Sequence, residues 1–209
     1  MILSKSKKFI FIKTRKCGGT SIQNTLLPFC DENDIVTAGF RNLKSDRRTS
    51  LEEFSPLYDI IRYENIDINE YFKFGFARNP FSITLSRYFY QIKMKRLNEQ
   101  PSKESFNRWA KNKYFTPKNQ FNYLGDGTKH LLFDIKGNQI VDFIGKLENI
   151  DEDFEYIKDN LGIDKNVKVN NDNKSNVNNV HYRDWVDEET KLLVENHFKF
   201  ELDYFKYEY

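Results

Sequence analysis

The chain has 209 residues, enough for one domain built on a single sizeable core. A net charge of +2 excludes a protein that coats nucleic acid, whose footprint is a strongly basic domain. Two cysteines, Cys17 and Cys30, are too few for a disulfide scaffold and point to a reduced compartment. No Cys/His cluster has zinc spacing. The N-terminus lacks a signal-peptide pattern, and no stretch approaches the ~20 apolar residues of a membrane span. The expectation is a soluble, cytoplasmic protein with no stable membrane span.

The first element is the apolar run KFIFI at 8–12, whose composition predicts a strand buried on both faces. Residues 20–27 place Ile22 and Leu26 four apart and end at Pro28, which predicts a short helix. Residues 31–50 are polar, with a basic cluster at Arg41, Lys44, Arg47 and Arg48. A helix is expected from Ser50, which stands three residues before Glu53 as in a capping box, with an interruption at Pro56. Phe72, Phe74 and Phe76 alternate over 71–77, a second strand. A helix follows, with Asn79 as N-cap and Pro80 as its first residue. Its apolar stripe is Phe81, Leu85, Tyr88, Phe89 and Ile92, and it runs to a basic end near residue 97.

Further helix is expected at 106–115, and a turn at 125–129. Residues 131–150 read as a hairpin around Lys136, Gly137 and Asn138. Residues 151–162 form an amphipathic helix, with Phe154, Ile157 and Leu161 inward and Gly162 as its stop. The Asn-rich stretch 165–180 is either a loop or an ordered lid. A last helix spans 187–198, and an aromatic tail packs back on the domain.

Between the first strand and helix lies KTRKCGGTS, residues 13–21. Gly18 and Gly19 allow a close anion approach, and the following helix N-terminus presents unpaired N–H groups. Thr20 and Ser21 add hydroxyls, and Lys16 adds charge, with Arg15 and Lys13 nearby. The loop is either a phosphate-binding turn or an ordinary Gly- and Thr-rich connection. It is not the common G-x-x-x-x-G-K-S/T loop, because its lysine precedes the glycines. Arg78 stands where the second strand meets its helix, and Ser82 and Ser86 share one face of that helix. Taken alone, Arg78 could cap the strand and the serines could be solvated. Taken together, the two corners describe a nucleotide with phosphates at both ends, held at the carboxyl edge of one sheet.

The motifs resemble a known family. FIKTRKCGGTSI (11–22) is similar to the 5′-phosphosulfate loop of sulfotransferases that use 3′-phosphoadenosine 5′-phosphosulfate (PAPS). More narrowly it resembles the carbohydrate (type 2) branch, where the loop reads roughly FIHIPKTGGTS. FKFGFARNPFSITLSRYF (72–89) resembles that branch's 3′-phosphate motif, FVRNPxxRxxSxY. Residues 141–154 and 181–209 are similar to its downstream segments, so the likeness runs in order along nearly the whole chain.

The resemblance implies a three-layer α/β sandwich with a mostly parallel central sheet, P-loop nucleotide-hydrolase-like. It implies that Lys16 contacts the oxygen bridging phosphate and sulfuryl group, as a catalytic residue. Cys17, Gly18, Gly19, Thr20 and Ser21 would form the 5′-phosphate cradle, with Cys17 a small filler. Arg78 and Ser86 would hold the 3′-phosphate, and Lys174, Ser175, Tyr182 and Arg183 would close over the nucleotide. PAPS would be the donor and 3′,5′-ADP the product. The acceptor would be a glycan or small hydroxylated molecule, and no metal would be needed.

Three departures stand out. Arg15 replaces a proline, and Lys13 stands where the family often has histidine. Arg48 occupies the place of a histidine that precedes a helix start in many relatives. Arginine cannot act as a base near neutral pH. Glu52 or Glu53 is then the candidate base, with His130 and His181 as alternatives, and Arg48 is suited to gripping an anionic acceptor. Two other readings remain open at this level: a catalytically degenerate protein that binds 3′,5′-ADP or an anionic glycan, and a P-loop kinase.

Overall fold

The structure is a computed structural model that describes residues 1–37, 57, 64–117, 128–169 and 180–209. In chain order, β1 is Ile2–Ser4, β2 is Phe9–Ile12, α1 is Gly19–Leu26 and β3 is Ile35–Val36. Next come β4 at Phe72–Ala77 and α2 at Pro80–Lys93. Helix α3, Lys103–Trp109, continues as a π-helical turn, Ala110–Tyr114. Then follow α4 at Lys129–Leu132, β5 at Phe143–Lys146 and α5 at Ile150–Leu161. The chain ends with α6 at Tyr182–Trp185, α7 at Glu188–His197 and α8 at Lys199–Phe205. The basic cluster at 41–48, Glu52, Glu53, Lys174 and Ser175 lie outside the described residues, as does nearly all of the helix expected from Ser50.

The described residues fall into two compact units. The first, Met1–Ala77 with Thr128–Asn173, holds a five-stranded sheet of order β3-β1-β2-β4-β5. β2 pairs with β4, and β4 with β5, in parallel. β1 pairs with both β2 and β3 antiparallel. The sheet is therefore mixed, where a mostly parallel one was expected. The cause is the turn after β1. Four residues, Lys5 to Lys8, connect β1 to β2, and Lys8 takes a left-handed φ of 53°. So short a link can join only antiparallel neighbours, whereas parallel strands need a long crossover.

Asp34 holds this turn. Its carboxylate accepts from the Ser4 hydroxyl (2.8 Å), Lys5 N (2.7 Å), Ser6 N (3.1 Å) and the Ser6 hydroxyl (2.8 Å). Burial pushes Asp34 up, but the hydrogen bonds from Ser6, Ser4 and Asp31 N outweigh it, so its carboxyl sits below the ordinary value.

β2 is buried along its whole length, as its unbroken apolar run requires. β4 is buried on both faces as well, despite its alternating pattern. The residues between its phenylalanines are Lys73 and Gly75. Lys73 donates to the carbonyl of Tyr71 (2.8 Å) and pairs with Asp142 (2.8 Å). A Cβ on Gly75 would lie 2.6 Å from the Leu132 side chain, so α4 is seated directly on that strand. The expected hairpin at 131–150 is replaced by a tight turn with a single bridge, Phe133 to Gln139. Asp134 closes this turn by accepting from the N–H groups of Lys136 and Asn138, both at 2.8 Å. The chain then continues into β5 beside β4 instead of returning along itself.

The second unit, Arg78–Gly127 with Lys174–Tyr209, has an aromatic core. Phe81, Leu85 and Tyr88 of α2 pack with Phe106 and Trp109 of α3, and with Tyr182, Val194 and Phe198. Of the sequence stripe on α2, Phe81, Leu85 and Tyr88 are buried, and Phe89 and Ile92 pack partly buried against the same core. Asn79 caps that helix by accepting from Phe81 N at 3.0 Å, and Pro80 is its first residue. Helix α3 starts earlier than expected, at a capping box made by Ser102 and Ser105. Serine replaces the usual Glu or Gln at the third helical position, which hides the signal in the sequence. The π-turn carries Tyr114 back onto Trp109, with ring centroids 4.7 Å apart. The tail is helical as far as Phe205, and Tyr209 then packs edge-on against Phe81, with centroids 5.0 Å apart.

Candidate active site

The loop at 13–18 leaves the carboxyl end of β2, next to the carboxyl end of β4. The Thr14 hydroxyl donates to the carbonyl of Phe76 and ties the two strand ends together. Two residues of the loop are left-handed: Lys16 at φ 63° and Gly18 at φ 74°. For a residue with a Cβ that conformation costs about 1–2 kcal/mol, and such strain is concentrated at ligand clamps. Cys17, between them, is fully buried, and its thiol donates to the carbonyl of Arg15 at 3.3 Å. The cysteine fills the turn, as its small size suggests.

Gly18 is the N-cap of α1 and, as a glycine, has no side chain to cap it. The first bond within the helix runs from Ile22 N to the carbonyl of Gly18, at 3.1 Å. The N–H groups of Gly19, Thr20 and Ser21 therefore precede the helical ladder and form the positive end of α1. Each glycine is also enforced by packing. A Cβ on Gly18 would lie 2.6 Å from Leu147, and one on Gly19 would lie 2.5 Å from the stem of Lys13. Thr20 is exposed, and Ser21 and Lys16 are half-buried. A strained turn, a glycine N-cap and a flanking lysine are features that suit a tetrahedral anion.

A model of the sulfotransferase family matches residues 1–208. The chain belongs to the sulfotransferase family. No curated protein and no solved structure matches it. Sulfotransferase membership supports sulfuryl transfer as the reaction class and implies a sulfonate donor and an acceptor.

In this sulfotransferase the second unit carries the candidates Arg78, Ser86, Tyr182 and Arg183. Arg78 is half-buried and follows β4 directly. Ser86 is 5% exposed on α2, one turn beyond Ser82. Tyr182 is buried in the core, stacked on Phe81 with centroids 5.5 Å apart, and its hydroxyl donates to the carbonyl of Glu208 at 3.2 Å. Arg183 donates to the carbonyl of Tyr209 at 2.7 Å. These bonds make 182–183 an anchor for the C-terminal tail.

Of the alternative bases, His181 uses Nδ1 to accept from Arg183 N at 3.2 Å, as the cap of α6. His130 lies exposed on α4. Among the described residues no group of three or more His, Cys, Asp and Glu side chains gathers as a metal site, and no helix is long and apolar enough to cross a membrane.

Sequence reasoning overlooked two features. Asn79 does more than cap α2, since its amide also donates to the carbonyl of Glu208 at 3.1 Å. Lys13, noted as a neighbouring charge and as a departure from a family histidine but not as a buried residue, is 3% exposed. A lysine placed directly after a fully apolar strand was the available signal for it.

Proposed function

We propose that this sulfotransferase moves the sulfuryl group of PAPS to an acceptor hydroxyl, of the carbohydrate class, and releases 3′,5′-ADP. The observation that carries the reading is the glycine N-cap of α1, with Lys16 and Gly18 both left-handed in one turn. Those features suit a dense anion next to a lysine. The reading also takes the sheet as the centre of a three-layer, P-loop-like sandwich.

In the reaction, the bond from sulfur to the phosphate's bridging oxygen breaks, and a bond from sulfur to the acceptor oxygen forms. The electron pair stays on the 5′-phosphate oxygen. Lys16 neutralises the charge that grows there, and this stabilisation is greatest in the transition state. The N–H groups of Gly19, Thr20 and Ser21 hold the phosphate. Arg78 and Ser86 take the 3′-phosphate, which distinguishes PAPS from ATP. The hydroxyl proton passes to a base, for which Glu53 is the candidate. Arg48 grips an anionic acceptor, and Lys174, Ser175, Tyr182 and Arg183 complete the nucleotide site. Neither cysteine is in a disulfide, in keeping with a cytoplasmic setting.

Calorimetric titration tests the donor. Wild-type protein is expected to bind 3′,5′-ADP at least about 10-fold more tightly than ATP, and Arg78→Ala to lose at least about 10-fold for 3′,5′-ADP, the loss of one charge-assisted contact. A folded wild type that does not bind 3′,5′-ADP would overturn the reading. Binding without turnover across a wide panel of acceptors would instead indicate a degenerate binder.

A further inference from the structure

Asn79 stands between Arg78 and the first residue of α2, and it is buried. Its side chain is used from both ends. The amide oxygen accepts from Phe81 N at 3.0 Å, which caps α2. The amide nitrogen donates to the carbonyl of Glu208 at 3.1 Å and to the Tyr182 hydroxyl at 3.4 Å. A cap needs only the oxygen, which serine, threonine or aspartate would also supply. The tie to the C-terminal tail needs the nitrogen. Serine and threonine end one bond short of it, and aspartate has no proton to donate. The backbone of residue 79 is fixed as well. Its carbonyl accepts from Ile83 N at 2.9 Å. Pro80 restricts it to extended conformations, and it sits at φ −52° and ψ 123°.

The tail that receives the tie is itself held. The Tyr182 hydroxyl donates to the same Glu208 carbonyl at 3.2 Å, and Arg183 donates to the carbonyl of Tyr209 at 2.7 Å. The Tyr209 hydroxyl donates to the carbonyl of Val186 at 3.2 Å. The Tyr209 ring packs edge-on against Phe81, and the Lys191 ammonium lies 4.7 Å from its centroid. All of these residues belong to the second unit, as does Arg78. The chain directly after Arg78 is thus joined to a tail that is bonded at several further points.

We propose that Asn79 is a positioning residue: tied to the tail through Glu208, it fixes the backbone that aims Arg78 at the 3′-phosphate. The proposal rests on the PAPS reading above. An arginine gains most from a phosphate when its planar fork is aligned with the phosphate oxygens, so a small swing of its backbone loses part of the contact. A nucleotide without a 3′-phosphate makes no such contact and does not sense the tie.

Asn79→Ser keeps a neutral capping oxygen and removes the nitrogen that reaches Glu208. Calorimetric titration compares 3′,5′-ADP with adenosine 5′-phosphate, which lacks the 3′-phosphate. The variant is expected to bind 3′,5′-ADP about 5-fold or more weakly, a part of what a lost charged hydrogen bond costs, and adenosine 5′-phosphate within about 2-fold of wild type. Added to Arg78→Ala, the same substitution is expected to change 3′,5′-ADP affinity by less than about 2-fold, because it then has no arginine to position. Unchanged 3′,5′-ADP affinity in Asn79→Ser, an equal loss for both nucleotides, or a loss that adds in full to that of Arg78→Ala would overturn the proposal. A merely structural residue moves both nucleotides or neither. Asn79→Thr keeps the capping hydroxyl, fills more of the buried space and carries the same comparison if the serine variant does not fold. A wild type that does not bind 3′,5′-ADP would overturn the PAPS reading and this proposal with it. A wild type that binds it, loses it in Arg78→Ala and keeps it in Asn79→Ser would overturn the role of Asn79 alone, so the two failures are distinguishable.

Discussion

Asp34 shows how much one buried carboxylate can organise. It gathers hydrogen bonds from Ser4, Lys5 and Ser6, and so fixes the turn that makes the sheet mixed. Its carboxyl is held below the ordinary value, so the folded state binds this proton more weakly than the unfolded chain does. The stabilisation is therefore fully present above the unfolded value of about 3.9 and is lost as pH falls through the lowered folded value. Asp34→Asn is expected to cost about 2 kcal/mol at pH 7. In urea titrations repeated down the pH scale, that cost should shrink below about pH 4. A pH-independent difference would mean that shape rather than charge matters at this position. Cys30, nearby in sequence, is pushed the other way. Burial, with Asp34 and Asp31 adding to it, raises its thiol to about 12, so it stays protonated and inert at neutral pH.

Among the elements, α5 reads most directly from its sequence. Phe154, Ile157 and Leu161 are buried, and Gly162 follows with a φ of 61°. Among the described residues nothing lies within 4 Å of a Cβ placed on Gly162, so the backbone penalty is what opposes a side chain there. Gly162→Ala should cost about 1 kcal/mol, and Gly162→Asn less, since asparagine tolerates the left-handed region. Thermal melts of the two variants check this, and equal melting temperatures would remove the argument. The buried ammonium of Lys158, on the same helix, donates to Glu155 (2.6 Å) and to the carbonyl of Val167 (3.0 Å). It pins the chain that follows the helix, a role that hydrophobic periodicity could not announce.

At the scale of the molecule, the 16% aromatic content collects most visibly in the core of the second unit. Phe81 is its keystone, touching Tyr182 and Tyr209 from the base of α2. Phe81→Ala is expected to cost about 3–5 kcal/mol, by the usual scale for a buried aromatic. That is a large share of the ~5–15 kcal/mol a domain of this size has. Denaturant unfolding monitored by tryptophan fluorescence checks it, because Trp109 lies in the same core. A loss under about 1 kcal/mol would show that the cluster repacks around the gap.

The sequence by itself determined the strand–loop–helix corner at 8–26, the strand and capped helix at 72–93, and the stopped helix ending at Gly162. Each is set by local physics: apolar period, cap chemistry and the allowed φ of single residues. It also carried the family likeness, since motifs are local strings. Only the tertiary structure decided that the N-terminal residues Ile2–Ser4 form a strand, that β5 joins β4 in parallel, and that Lys13 is buried across Gly19. Two- and three-residue strands are too short to show a period, and their pairing is fixed by partners far along the chain. The burial of a lysine depends on what packs over it, and for Lys13 that neighbour is the first turn of α1, a contact that spacing along the chain does not reveal.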